Sequence, residues 1–165
     1  MAEKHILIVD DDIDTLTILE TILRNEGYKV HTASNKKQAM EVLDKYDIDL
    51  AILDVMMDSV YEGFELAYYL KNDCELKEIP VLIQTSMDVF DSSNPDDLAL
   101  ARRYRETMDS KDIEVLFVQN TVTGESGIDY RNEQGKVIWI PVEGFIRKPV
   151  TAANLLPEVK RLIEL

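Results

Sequence analysis

Residues 5–12 read His-Ile-Leu-Ile-Val-Asp-Asp-Asp, an unbroken apolar run that stops on three acids. A run this short, without polar alternation, suits a strand buried on both faces. Downstream, Leu16, Leu19, Ile22 and Leu23 recur at helical spacing and Gly27 follows as a stop. Residues 28–33 read as a second strand. Ala39, Val42, Leu43 and Tyr46 mark a second helix, with Ser34 or Asn35 as its cap. Residues 50–53 form another apolar run, ending on Asp54. Residues 64–70 are helical in character, and 80–84 form a fourth strand ending on Thr85 and Ser86. The order β-α-β-α-β-α-β with short apolar strands predicts a parallel sheet covered by helices on both faces.

Near the end, Phe145-Ile146-Arg147 precedes Lys148-Pro149, and Leu155, Leu156, Val159, Leu162 and Ile163 mark a last helix. Thr151 is its expected cap, and Pro157 a turn later predicts a late start or a kink. Between these parts, residues 94–110 read as a helix, with Pro95 first and Asp96 and Asp97 in the opening turn. Residues 114–122 and 136–142 are β-branched and aromatic, and read as a hairpin around a polar, Gly-containing loop.

In an open parallel sheet, ligands bind beyond the carboxyl ends of the strands. The residues there are Asp10, Asp11 and Asp12, then Asp54, Thr85 and Lys148. Asp12 doubles as a candidate helix cap. Clustered carboxylates repel and call for a cation or raised pKa values. Mg²⁺ suits them, since it takes one or two carboxylates and keeps waters for phosphate oxygens. A carboxylate can also accept a phosphoryl group as a nucleophile, with a hydroxyl and a lysine offsetting the phosphoryl charge.

The 165 residues carry 32 acids and 18 bases, a net charge of −14. That balance argues against binding nucleic acid through its phosphates. With 45% apolar residues the chain is expected to fold, not to be disordered. One cysteine, Cys74, forms no internal disulfide, which fits a reducing, cytoplasmic setting. No signal-peptide layout opens the chain, and no apolar run approaches the ~18 residues of a membrane span. His5 and His31 lack metal-ligand spacing and read as structural, as do Cys74 and Trp139.

Ile-Leu-Ile-Val-Asp-Asp-Asp at 6–12, Leu-Asp-Val-Met-Met at 53–57, Ile-Pro-Val-Leu-Ile-Gln-Thr-Ser at 79–86 and Phe-Ile-Arg-Lys-Pro at 145–149 resemble, in order, the landmarks of the receiver domain of two-component response regulators. The resemblance covers 1–86 and 144–165. It implies a flavodoxin-like doubly wound sheet of five parallel strands in the order 2-1-3-4-5. It further implies Asp54 as phosphoacceptor from a sensor histidine kinase or phosphotransfer protein. Asp11 and Asp54 would be direct Mg²⁺ ligands, with Asp10 acting through water and the Met56 backbone carbonyl completing the set. Thr85 would be the switch hydroxyl, Phe145 the coupled aromatic switch and Lys148 the partner of the phosphoryl oxygens. A cis Lys148-Pro149 bond is common in that family.

The sequence departs from the family pattern in two places. Asp58 stands where proline is usual, and the next glycine comes one residue late, so the loop over the acceptor is longer. Met56 and Met87 hold positions that influence dephosphorylation, and two apolar side chains there predict slow hydrolysis. The second departure is spacing: about 60 residues separate Thr85 from Lys148, where one helix and two loops take ~20–25. The expectation is a single receiver domain over 1–165 with an inserted helix and β-hairpin segment between strands 4 and 5, the insertion itself at about 109–140. It would lie on the side the family uses for signalling, and would alter or replace the partner surface.

The expected function is a phosphorylation-dependent switch, not an enzyme beyond self-catalysed phosphoacceptance and slow autodephosphorylation. Output is expected through protein contact with an unidentified partner, since no helix-turn-helix or catalytic segment follows the last helix. Homodimer formation stays open. Two alternatives remain beside it. One is a phosphorylation-independent scaffold acting through the insertion. The other is a haloacid-dehalogenase-type phosphatase with Asp10 as nucleophile, which the register of 10–15 disfavours because Asp14 stands where threonine is needed.

Overall fold

The computed structural model describes residues 3–55, 60–107, 115–131 and 134–164. In chain order the elements are β1 (His5–Val9), α1 (Ile13–Asn25), β2 (Lys29–Ala33), α2 (Lys36–Lys45), β3 (Leu50–Asp54), α3 (Val60–Asn72) and β4 (Val81–Thr85). They continue with β5 (Val89–Asp91), α4 (Pro95–Thr107), β6 (Val115–Gln119), β7 (Ser126–Arg131), β8 (Val137–Val142), β9 (Gly144–Arg147) and α5 (Ala152–Ile163). They group into two compact units. The first is Met1–Ser86 with Phe145–Leu165; the second is Met87–Gly144.

The first unit is built on five parallel strands in the order β2-β1-β3-β4-β9, the flavodoxin-like order, with β9 as its fifth strand. Strand parity explains why its apolar runs do not alternate. Ile6 and Ile8 of β1, Leu50 and Ile52 of β3, Leu82 of β4 and Ile146 of β9 share one cluster with Leu16, Leu19 and Leu23 of α1 and Leu155 and Val159 of α5. The opposite parity, Leu7, Val9, Ala51, Leu53, Val81 and Ile83, is equally buried. On that side α2 packs against β1 and β2, and α3 against β3. A sheet covered twice has no wet face, so no polar residue is needed until a strand ends.

The helix ends are set by local chemistry. Asp12 caps α1, its Oδ1 accepting from the Asp14 N–H at 2.9 Å. Gly27, at φ 92°, turns the chain out of that helix. Asn35, not Ser34, caps α2. Thr151 and Asn154 form a reciprocal capping box at the start of α5. That box overrides the late start expected from Pro157: α5 begins at Ala152 with the proline inside it. Pro157 forgoes only one backbone hydrogen bond, close to the helix start.

At the amino end of the sheet, His5 Nδ1 and His31 Nε2 share a hydrogen bond of 2.9 Å, and the His31 ring stacks on Tyr46 at 4.1 Å. Asp49 fixes the same corner by accepting from the His5 backbone N–H at 2.8 Å. Both histidines are packing partners, as their spacing suggested. Cys74 is exposed, just beyond α3.

The second unit carries a four-stranded sheet in the order β5-β6-β7-β8. It contains the helix and strands expected before the final strand, but their pairing differs from a hairpin. The two segments read as partners, now β6 and β8, do not touch in the ladder; β7 lies between them and pairs antiparallel with both. Residues 126–131 fall within the stretch that reads as the polar, Gly-containing loop of that hairpin, yet they form β7. Their alternation nonetheless buries Ser126, Ile128 and Tyr130. Gly127 is there for space: a Cβ would stand 2.2 Å from the Trp139 ring. Trp139 lies across it and stays 44% exposed. The short β5, not anticipated, pairs parallel with β6. Its Asp91 accepts from the Ser93 and Thr121 hydroxyls, both at 2.6 Å. These bonds hold the Asp91 carboxyl well below the usual carboxylate range. Among the described residues, no helix is long and apolar enough to cross a membrane.

Candidate functional site

The rows of side chains that pack toward α1 and α5 change character at one end of the sheet. Ile6 and Ile8 are followed at the same parity by Asp10, Leu50 and Ile52 by Asp54, and Leu82 by Gln84. Asp54 sits directly opposite Gln84 in the β3–β4 register. Parallel pairing thus brings polar groups far apart in sequence onto one edge. Asp10 and Gln84 are wholly buried, and Asp54 is 3% exposed. Asp11 is exposed. Carboxylate oxygens of Asp10, Asp11 and Asp54 all lie within 4.8 Å of one another.

Buried carboxylates need partners. Asp10 Oδ1 accepts from the Asp12 backbone N–H at 2.9 Å, and its Oδ2 from Gln84 Nε2 at 3.0 Å. Lys148 Nζ reaches Asp54 Oδ2 at 3.0 Å and Asp10 Oδ2 at 3.7 Å. The lysine is placed by the backbone: its N–H donates to the Thr85 carbonyl at 2.8 Å, joining the ends of β4 and β9. Thr85 is 1% exposed and Phe145 is half-buried. The Lys148-Pro149 bond is cis.

Burial raises the Asp10 pKa, and the neighbouring Asp54 charge adds to the rise. The Asp12 N–H and the Lys148 charge pull the other way without cancelling it. For Lys148, burial works against the ammonium, but the hydrogen bond and charge of Asp54, with the charge of Asp10, raise its pKa overall. Among the described ion pairs, Lys148 is the cation that faces these buried carboxylates.

Asp10, Asp11, Asp54, Thr85 and Lys148 thus come together as expected. Met56, whose backbone carbonyl the resemblance assigns to the metal, lies outside the described residues, as do Asp58 and the rest of 56–59. Sequence reasoning missed Gln84. Its signal was available: a polar residue that continues the apolar parity of Leu82 in a strand buried on both faces. Its Nε2 holds Asp10, while its Oε1 is buried with no hydrogen-bond partner among the described residues. Three carboxylates form an all-oxygen donor set, which fits a hard, hydrated divalent cation.

A family model for the response regulator receiver domain matches residues 6–93. The chain is 39% identical over 85 residues to the two-component response regulator ORR3 of Oryza sativa subsp. indica, covering 51% of this chain and 64% of that protein. It is 37% identical over 84 residues to the heme response regulator HssR of Staphylococcus aureus, covering 51% of this chain and 36% of that one. The matched stretch therefore spans less than two thirds of the length of these relatives.

Among solved structures, the signal receiver domain of a histidine kinase from Syntrophus aciditrophicus superposes with a TM-score of 0.61 at 25% identity, over 98% of this chain and 90% of that one. The chemotaxis response regulator CheY4 of Vibrio cholerae gives 0.62 at 20% identity, over 98% and 99%. The receiver domain of the sensor histidine kinase PA1611 of Pseudomonas aeruginosa PAO1 gives 0.60 at 18%, over 99% and 100%. That receiver holds a magnesium ion in its active-site cleft.

Proposed function

The chain belongs to the response regulator receiver family, and from that premise we propose that it is a phosphorylation-dependent switch taking a phosphoryl group on Asp54. The donor is a phosphohistidine of a sensor histidine kinase or a phosphotransfer protein. An Asp54 carboxylate oxygen attacks phosphorus, the P–N bond to the donor imidazole breaks, and its electron pair returns to that imidazole. Asp11 and Asp54 would hold Mg²⁺ directly, with Asp10 acting through water and the Met56 carbonyl as a further ligand. Once bound, the ion offsets the charge developing on the phosphoryl oxygens.

The remaining roles fall to the chain itself. Lys148 Nζ already sits against the acceptor oxygen, and donates to a phosphoryl oxygen once that oxygen is esterified. Thr85, beside it, supplies a hydroxyl to the same group. Its movement passes to Phe145, on the strand that ends just before Lys148. Output follows by protein contact, with residues 87–144 as a partner surface.

The observation that carries this reading is the Lys148–Asp54 contact at 3.0 Å, made beside carboxylates gathered within 4.8 Å. The test is labelling by a small acyl phosphate. Wild type takes up label with Mg²⁺ and none with excess chelator, and Asp54→Asn takes up none. Wild type that stays unlabelled overturns the reading.

The compact unit at Met87–Gly144 favours a second reading, a scaffold that binds its partner whether or not Asp54 is phosphorylated. Equal partner affinity of the wild type, the acyl-phosphate-treated protein and Asp54→Asn would select it.

A further inference from the structure

Gln84 is an uncharged member of the acidic edge, buried beside Asp10. The Asp10 carboxylate only accepts hydrogen bonds when ionised, so the Gln84 amide must turn its NH₂ toward it. That orientation turns Oε1 away from the Asp10 oxygen, buried and with no hydrogen-bond partner among the described residues. Leaving a buried carbonyl unserved costs free energy, and native proteins rarely tolerate it without a water, an ion or a function. The neighbouring strand positions of the same parity, Leu82 and Ile52, are satisfied by packing alone. An apolar side chain at 84 would continue their row, so packing gives no reason for an amide here.

Resting on the reading that Asp10, Asp11 and Asp54 hold Mg²⁺, we propose that Gln84 is a positioning residue of that site. Its amide N–H fixes the Asp10 carboxylate, and its carbonyl accepts from a water carried by the cation. Mg²⁺ dehydrates reluctantly and keeps several waters, and a metal-bound water has protons to donate. Oε1 is an acceptor with none to receive. Asp10 would itself act through water, so the amide and the carboxylate it holds serve one hydrated face of the ion. Gln84 then touches neither the phosphoryl group nor the metal, and works by orienting what does.

The test compares full-length wild type with Gln84→Met, which keeps the length of the side chain and removes both polar atoms. Mg²⁺ binding is measured by calorimetry, and unfolding is measured without metal. The expected result is Mg²⁺ affinity about tenfold weaker in Gln84→Met, with no lower metal-free unfolding temperature. A second measurement needs no variant: in wild type, the Gln84 side-chain amide signals in a ¹⁵N-resolved spectrum shift as Mg²⁺ saturates the protein. Unchanged affinity in Gln84→Met, or amide signals that ignore Mg²⁺, overturns the inference while leaving the metal reading intact. Wild type that binds no Mg²⁺ overturns both, and only that outcome touches the reading beneath.

Discussion

Lys148 Nζ lies 3.0 Å from Asp54 Oδ2, a contact between residues 94 positions apart. It is the lone ammonium found against buried carboxylates among the described ion pairs. Removing it takes away the ammonium that the described ion pairs set against Asp10 and Asp54. Lys148→Met is expected to lose about 1 kcal/mol of stability at neutral pH. That is less than the ~3–5 kcal/mol for breaking a fully enclosed pair, because the lysine side chain is 29% exposed and partly screened. Its pKa is raised, so this contribution is fully present below about 10.5 and is lost as pH rises through the folded value. Asp54→Asn removes the repulsion instead, and unfolds no more easily than wild type. Urea titrations of both variants at pH 7 check the opposite signs.

Gly63 is helical and buried, where alanine ordinarily stabilises by up to ~1 kcal/mol. Here a Cβ would stand 2.5 Å from the Val55 Cα and 2.7 Å from its carbonyl oxygen. The obstacle is backbone and cannot rotate away. Gly63→Ala is therefore expected to destabilise by roughly 1–3 kcal/mol. Since Val55 follows Asp54 directly, acyl-phosphate labelling should slow as well. Denaturant midpoints and labelling rates measured on the same sample test both effects.

The His5–His31 hydrogen bond requires one imidazole nitrogen to accept, so both rings cannot be protonated and keep it. Burial lowers the His31 pKa, with the His5 and Arg24 charges adding to the effect. The unfolded chain then takes up the proton first. Stability from this group is present above the ordinary value of about 6.5 and falls as pH drops toward the folded value. Over the first pH unit the loss is no more than about 1.4 kcal/mol. Comparing unfolding at pH 7.5 and 5.5, His31→Gln should lose less stability than wild type. An equal loss would show that the pair does not govern acid sensitivity.

Trp139 lies across Gly127, in a sheet whose strands otherwise carry side chains. Gly127→Val would drive a branched side chain into the indole. The expected outcome is a displaced, more exposed Trp139 with red-shifted emission, while Asp54 labelling proceeds at the wild-type rate. Fluorescence and labelling together test whether the two compact units tolerate damage independently.

The alternation of short apolar runs with helical spacing was enough to read β1 to β4, because a sheet covered on both faces needs only hydrophobic side chains until its strands end. The polar residues at those ends were legible for the same reason: Asp10, Asp54 and Thr85 interrupt otherwise apolar segments. β7 was hidden because Gly127 serves the Trp139 ring, and nothing local announces a partner twelve residues away. Gln84 was visible as a polar residue in an apolar row, but its partners were not: register places it opposite Asp54 and against Asp10. Register between parallel strands is set by tertiary packing, which a linear reading does not contain. The same holds for His5 and His31, whose contact crosses from β1 to β2.

The placement of β9 after the second unit has a consequence for biosynthesis. Asp10, Asp54 and Thr85 leave the ribosome early, and Lys148 leaves only after the whole of Met87–Gly144 has been made. During that interval the carboxylates have no lysine, and β4 has an open edge awaiting its last neighbour. Closing so long a loop costs little at equilibrium, since each doubling of length adds only ~0.6 kcal/mol. It does delay the arrival of the counter-charge. The lysine that faces the acidic edge is therefore the last part of the site to be synthesised.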